Sequence, residues 1–185
     1  GKTATAVYTG IETDSYNSSW NLPWRSYASK IKTATVVDDG LRPFNMSSWF
    51  NSCESMTACD LDKLDTSNVT SMSYMFYGCS NLASVGDLSS WDTSKVTSMG
   101  SWFNGCTSLT SVGDLSSWDT SKVTSMYDMF EGCRSLTSVG DLSNWNTSNV
   151  TGMYGMFDGC RSLTSVGDLS NWNTANVTNM YDMFK

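Results

Sequence analysis

The chain has 185 residues, 11 basic against 18 acidic side chains and a net charge of −7, so it lacks the basic patch that nucleic-acid phosphates or an anionic membrane would require. Histidine is absent and only 16% of residues are charged, a poor basis for acid–base catalysis near neutral pH. No enzymatic activity, no cofactor, no nucleic-acid partner and no membrane insertion are therefore expected.

Residues 1–30 follow no repeat and read as an N-terminal β-containing cap. Thr3 to Tyr8 alternates like a strand, Gly10 punctuates it, Ile11 to Tyr16 returns, and Trp20, Leu22, Pro23 and Trp24 form an irregular apolar link. The end of a repeat array needs such a lid, because its first coil would otherwise expose its core. Ile31 to Val37 then alternates as a strand, Asp38-Asp39-Gly40 turns, and residues 31–53 form a diverged first coil. Its register is set by Trp49-Phe50-Asn51-Ser52-Cys53, which matches Trp102-Phe103-Asn104-Gly105-Cys106.

Cys79, Cys106, Cys133 and Cys160 lie 27 residues apart, and a fixed period of that size signals stacked structural repeats. Coils are placed with starts near Cys53, Cys79, Cys106, Cys133 and Cys160, so a repeat domain spans 31–185 and the chain is one structural domain. In each coil S-V-G-D-L-S reads as a short parallel strand, bulged at Gly86, Gly113, Gly140 and Gly167, with Leu88, Leu115, Leu142 and Leu169 superimposed inside. The coil at Cys53 lacks that glycine, so its strand should be unbulged. Asp119-Thr120-Ser121 offers capping side chains ahead of Val123, Met126, Met129 and Phe130, whose spacing predicts about two turns of helix ended by Gly132. The expected fold class is α/β: a solenoid with one short parallel strand and one short helix per coil.

Stacked cysteines roughly 4.8 Å apart hold their Cβ atoms too far apart for disulfides, which predicts buried free thiols. Cys53 and Cys59, sharing one coil, are the pair whose bridging stays open. Without a C-x-x-C pair or a histidine, no metal site is expected. Asp87, Asp114, Asp141 and Asp168 form a carboxylate column, read as a solvated stripe or a binding surface. Asp65, Asp92 and Asp119, continued by Asn146 and Asn173, read as turn caps. Tyr127, Tyr154 and Tyr181 form a second candidate binding column, on the outward side of the helix, suited to sugar rings or a protein partner. The methionine columns, including Met72, Met99, Met126 and Met153, are read as core.

The phrases Met-Phe-x-Gly-Cys-x-x-Leu and Leu-Ser-x-Trp-[Asp/Asn]-Thr-Ser-x-Val-Thr-x-Met resemble the repeats of BspA-like leucine-rich-repeat surface proteins of bacteria, over about residues 46 to 185. The resemblance implies a leucine-rich-repeat-like solenoid that is secreted or wall-anchored, often called an adhesin, and it transfers no catalytic residue. It departs from the family in its 27-residue length, with a Gly-Asp insertion in the strand. The functional expectation is a bacterial cell-surface binding module for a host protein or glycan; the alternative is a stalk that spaces a larger surface protein and binds nothing itself. Gly1 before Lys2 resembles a tag-removal scar, the first residues lack a signal-peptide layout, and the pattern breaks off at Lys185 within a repeat. These features lead to the expectation of an N-terminal fragment of a longer chain, with an open C-terminal end that self-associates end to end.

Overall fold

Equivalent residues of successive coils sit above one another, and the backbone hydrogen bonds that hold them run mainly from coil to coil. The computed structural model describes residues 22–37 and 40–185. The expected strands at Thr3–Tyr8 and Ile11–Tyr16, Trp20, and the Asp38-Asp39 turn lie outside the described residues. Three ladders join the coils.

The first ladder runs through the Val-Thr-x-Met segments. Met46 N–H donates to the Ser71 carbonyl, Met72 to Ser98, Met99 to Ser125, Met126 to Gly152 and Met153 to Asn179, all at 2.9–3.0 Å. Thr97, Thr124, Thr151 and Thr178 each donate both N–H and Oγ to the threonine carbonyl 27 residues earlier. All these pairings are parallel. The sequence reading assigned this segment to the start of a helix and so missed the most regular strand-like feature of the molecule.

The second ladder holds the two strands among the described residues, β1 (Thr33–Thr35) and β2 (Ala58–Asp60), paired in parallel with Thr33 opposite Ala58 and Thr35 opposite Asp60. Past β2 it thins to single parallel bridges, Ala58 with Ser84 and Ser111 with Ser138. The expectation of a regular strand in every coil is corrected accordingly, and its physical cause is the inserted glycine. Gly86 takes φ +73° and Gly113 φ +76°, a left-handed kink that interrupts pairing, whereas the coil without the insertion forms β2. Leu88, Leu115 and Leu142 superimpose in the interior as expected, fully buried, while Leu169 is half-buried.

The third ladder replaces the expected helix. Of the residues expected to be helical, 123–126 belong to the first ladder and 127–132 form turns, because Asp128 takes φ +50° and Gly132 φ +70°; Tyr74 with Gly78 and Ser101 with Gly105 are likewise left-handed in earlier coils. A pair of left-handed residues four positions apart ends any α-helix and aims the backbone donors outward along the stack. Asp128 N–H reaches the Tyr154 carbonyl at 2.9 Å, Phe130 that of Met156 at 3.0 Å, and Gly132 that of Asp158 at 2.7 Å. An α-helix would have kept those donors within its own chain segment. The single helix among the described residues is the 3-10 turn Arg25–Lys30.

Apolar columns fill the interior. Phe50, Phe76, Phe103, Phe130, Phe157 and Phe184 stack with centroids 5.3–5.9 Å apart. Trp91, Trp118, Trp145 and Trp172 each donate Nε1–H to the leucine carbonyl 30 residues earlier, at 3.0–3.3 Å. Thr66, Thr93, Thr120 and Thr147 are buried and donate Oγ–H to the next coil, a column the sequence reading passed over. At the N-terminal side Leu22 is buried and Trp24 packs on Trp49 and Phe50, with its Nε1 bonded to the Trp49 carbonyl. Toward Lys185 the columns open: Trp172 and Val177 are half-buried, and Met180 and Phe184 are exposed.

Trp102 stands where three other coils carry Met75, Met129 and Met156, and its buried Nε1–H has no acceptor. An unpaired buried donor costs about 1–3 kcal/mol, which offsets much of what the larger ring contributes by filling space. Trp102→Met is therefore expected to change unfolding stability by less than about 1 kcal/mol in a urea titration, far less than truncation of a neighbouring aromatic.

Candidate binding surface

The turn segment that follows each Val-Thr-x-Met rung brings three adjacent columns of side chains to one edge. One column holds Ser73, Gly100, Tyr127, Tyr154 and Tyr181; the next holds Tyr74, Ser101, Asp128, Gly155 and Asp182. The third, three residues further on, holds Tyr77, Asn104, Glu131, Asp158 and Lys185. Of the predicted tyrosine column, Tyr127 and Tyr154 stack face to face, 5.1 Å between centroids and 9° between planes, while Tyr181 is 73% exposed. The structure adds Tyr74 and Tyr77, which the column reading left out. The Tyr74 hydroxyl lies 2.7 Å from that of Tyr127 although the two are 53 residues apart, and Tyr74 packs against Tyr77 at 5.8 Å.

Gly100 makes that reach attainable. A Cβ at position 100 would sit 2.5 Å from Tyr127 Cε1, so the glycine lets the ring lie across a coil that carries no tyrosine of its own. Gly155 does the same for Asp128, whose carboxylate occupies the space a Cβ there would need. The only sequence signal for this arrangement was the interruption of both columns by glycine.

Asp128 is partly withdrawn from water. Burial, then the charges of Glu131 and Asp158, push its carboxyl up to about 6. Its contribution to folding is thus fully present below the ordinary carboxylate range and is lost as pH rises through about 6. Burial and then the Tyr74 hydroxyl raise Tyr127, and burial and then Asp128 raise Tyr154. No ion pair reaches Asp128, Glu131 or Asp158 among the described residues, whereas Asp182 is held by Lys185 at 3.1 Å.

The structure puts the aspartate column elsewhere. Asp87, Asp114, Asp141 and Asp168 are exposed, and the Oδ1 of each accepts the N–H of the serine two residues on, at 2.9 Å. Those serines hold the carboxyls below their usual range. The same turn is built by Asp65, Asp92, Asp119 and Asn146, as expected of caps, so both columns share one local role. The electrostatic neighbours of the aspartates are their own turns and one another, and the two candidate columns do not converge.

All six cysteines are buried and free. Cys106, Cys133 and Cys160 each donate Sγ–H to the phenylalanine carbonyl 30 residues earlier, at 3.0–3.2 Å. Burial pushes the Cys59 thiol up to about 12, Cys160 to about 11, and Cys106 and Cys133 well up. At the first rung Cys79 Sγ–H donates to the Phe50 carbonyl at 3.0 Å, and the adjoining Cys53 and Cys79 thiols act on each other, lowering the first and raising the second. A thiol reagent should find no rapidly reacting group in the native chain and six in denaturant without reductant. Any disulfide recovered would contradict the thiol ladder. Among the described residues no group of histidine, cysteine or carboxylate side chains is arranged to hold a metal, and no helix is long and apolar enough to cross a membrane.

A family model described as a Mycoplasma protein of unknown function, DUF285, matches residues 44–141 and 114–185. No curated protein matches. Solved structures similar to the chain include a leucine-rich repeat protein from Bacteroides ovatus, 18% identical with a TM-score of 0.37, covering 73% of this chain and 39% of that one. A leucine-rich repeat protein of T. pallidum is also 18% identical, with a TM-score of 0.36, and covers 74% of this chain and 73% of that one. This chain thus spans well under half the length of the Bacteroides ovatus protein.

Proposed function

The chain belongs to the DUF285 family of Mycoplasma proteins of unknown function, and from that premise we propose a non-enzymatic, cell-surface or wall-anchored solenoid that binds a host protein or glycan. The observation that carries the reading is the tyrosine edge, where Tyr74, Tyr127 and Tyr154 from three coils form one partly exposed aromatic surface bordered by carboxylates. Exposed aromatic area of this kind is costly to leave in water and is common where proteins bind. The absence of histidine and the burial of every cysteine support a module without chemistry of its own. The rival reading, a spacer without a ligand, is favoured by the aspartate column, whose carboxylates are engaged in their own turns. Immobilised chain challenged with extracellular-matrix proteins and a glycan panel separates the two. The module should retain at least one partner and release it on Tyr154→Ala; retention of none would leave the spacer.

End-to-end self-association is a second part of the proposal, supported by the exposure of Met180 and Phe184 and the half-buried Trp172 and Val177. Light scattering should show a mean mass that grows with concentration and returns to that of one chain in Met180→Lys/Phe184→Lys. A constant single-chain mass at all concentrations would remove it.

A further inference from the structure

We propose that the tyrosine edge of the coils between Tyr74 and Tyr181 docks a lysine- or arginine-rich peptide segment of a partner protein. This rests on the binding-module reading and narrows it to one ligand chemistry.

The first argument is which ring surfaces are available. Stacking of a sugar needs an open aromatic face. Tyr127 has one face against Tyr154 and the other over Gly100, so neither is open to a pyranose ring. At Tyr127 the edge offers instead a ring rim, a phenolic oxygen and neighbouring carboxylates, and the exposed Tyr181 lies beyond this closed stretch. Rims suit the aliphatic stem of a lysine or arginine, which packs along apolar surface while its head reaches a polar group.

The second argument is charge. Asp128, Glu131 and Asp158 lie together beside the rings, and the charges that act on Asp128 are those of Glu131 and Asp158, while Lys185, in the same column as Asp158 and within reach of its charge, is paired with Asp182. Arg134 and Arg161 follow in the chain, yet no ion pair joins them to these carboxylates among the described residues. Asn104 donates to Glu131 and steadies it without neutralising it. A cationic guest supplies the missing counter-charge, and its N–H groups match acceptors that are already partly desolvated. A second copy of this chain is disfavoured at this edge, because it would bring the same carboxylates and a net charge of −7 against themselves.

The third argument is construction. Two glycines interrupt their columns at the positions where Tyr127 and Asp128 lie down, which makes the edge continuous across the coil of Gly100. Tyr74 and Tyr77 extend it on one side, and the exposed Tyr181 on the other.

The test uses the whole chain and a fluorescent peptide of about 12 residues alternating lysine and serine, in ~50 mM salt at about pH 7.5, followed by anisotropy. Binding should weaken at least about tenfold in Asp128→Asn, the effect of losing one charge-assisted hydrogen bond. Asparagine keeps the shape and tolerates the left-handed backbone, and circular dichroism checks the fold. Glu131→Gln should weaken binding similarly, and Asp62→Asn, which removes the same charge away from the edge, should not. In the wild type, affinity should also fall as the pH is lowered to about 5, and Asp128→Asn should lose most of that dependence. Equal weakening by Asp62→Asn would mean attraction by net charge alone and overturn the proposal. So would unchanged binding in Asp128→Asn, or a neutral chitin oligosaccharide binding the edge while the peptide does not. If the peptide fails but the matrix or glycan panel retains a partner, only this inference falls; if both fail, the binding-module reading falls with it.

Discussion

Phe103→Ala is expected to lower the unfolding free energy by about 3–5 kcal/mol, measured as a shifted urea midpoint at constant slope. The ring is fully buried, stacked between Phe76 at 5.3 Å and Phe130 at 5.9 Å, and against Trp102 at 4.3 Å. Truncation removes the transfer term of a large side chain, interrupts two or more aromatic contacts worth roughly 0.5–1.5 kcal/mol each, and leaves a void. The void cannot collapse easily, because the backbone on either side is pinned: Phe103 N–H is bonded to Met129 and Phe76 N–H to Trp102. A loss below about 1 kcal/mol would mean that neighbouring coils can close on the gap, and that the ladders are softer than their bond lengths imply.

Gly86→Val is expected to cost more than about 2 kcal/mol in the same assay, a large loss for an exposed position. Two effects add. An L-residue in the left-handed region costs roughly 1–2 kcal/mol, more when β-branched, and Gly86 sits at φ +73°. A Cβ there would also stand 3.1 Å from the Cys59 carbonyl oxygen, which is backbone of the coil beneath and part of β2. Thermal unfolding of Gly86→Val beside Gly152→Val separates this from a generic glycine effect, since position 152 has nothing within 4 Å of a built Cβ. Equal losses at the two sites would show that neither the left-handed backbone of Gly86 nor its inter-coil contact matters.

The interior was legible in the sequence because a strict period puts like residues in like places. Once Cys79, Cys106 and Cys133 set the step, Leu88, Leu115, Val96, Val123 and the tryptophans had to share an inside. The missing glycine ahead of Leu61 led to the expectation of an unbulged strand in that coil, and β2 lies there. The helix over 123–130 was misread for a physical reason. Spacings of three and four are equally compatible with successive turns that carry two left-handed residues four positions apart, and Gly132 is the second of these rather than a helix stop. Periodicity reports which side chains go inside and not whether a backbone donor bonds along its own segment or to the next coil. The tyrosine edge was only half legible: the column gave Tyr127, Tyr154 and Tyr181, but Tyr74 is one place off register and two coils away, and only side-chain packing over Gly100 brings it in.

The Tyr74–Tyr127 contact also makes the coils non-interchangeable. In an array whose units touch only adjacent units, excising one period rejoins like with like and leaves every remaining junction as it was. Removing residues 80–106 would preserve all three ladders, yet it would place Ser73, which has a Cβ, beneath the Tyr127 ring where Gly100 now leaves room. Removing residues 134–160 would leave Gly100 in position and set Tyr181 beside Tyr127, but it would also put Asp182, with its Cβ and its charge, where Gly155 now makes room for the Asp128 carboxylate. Unequal recombination between these near-identical units is thus penalised on both sides of Tyr127 and Asp128, so the order of coils around Gly100 and Gly155 is held by side chains that lie across their neighbours.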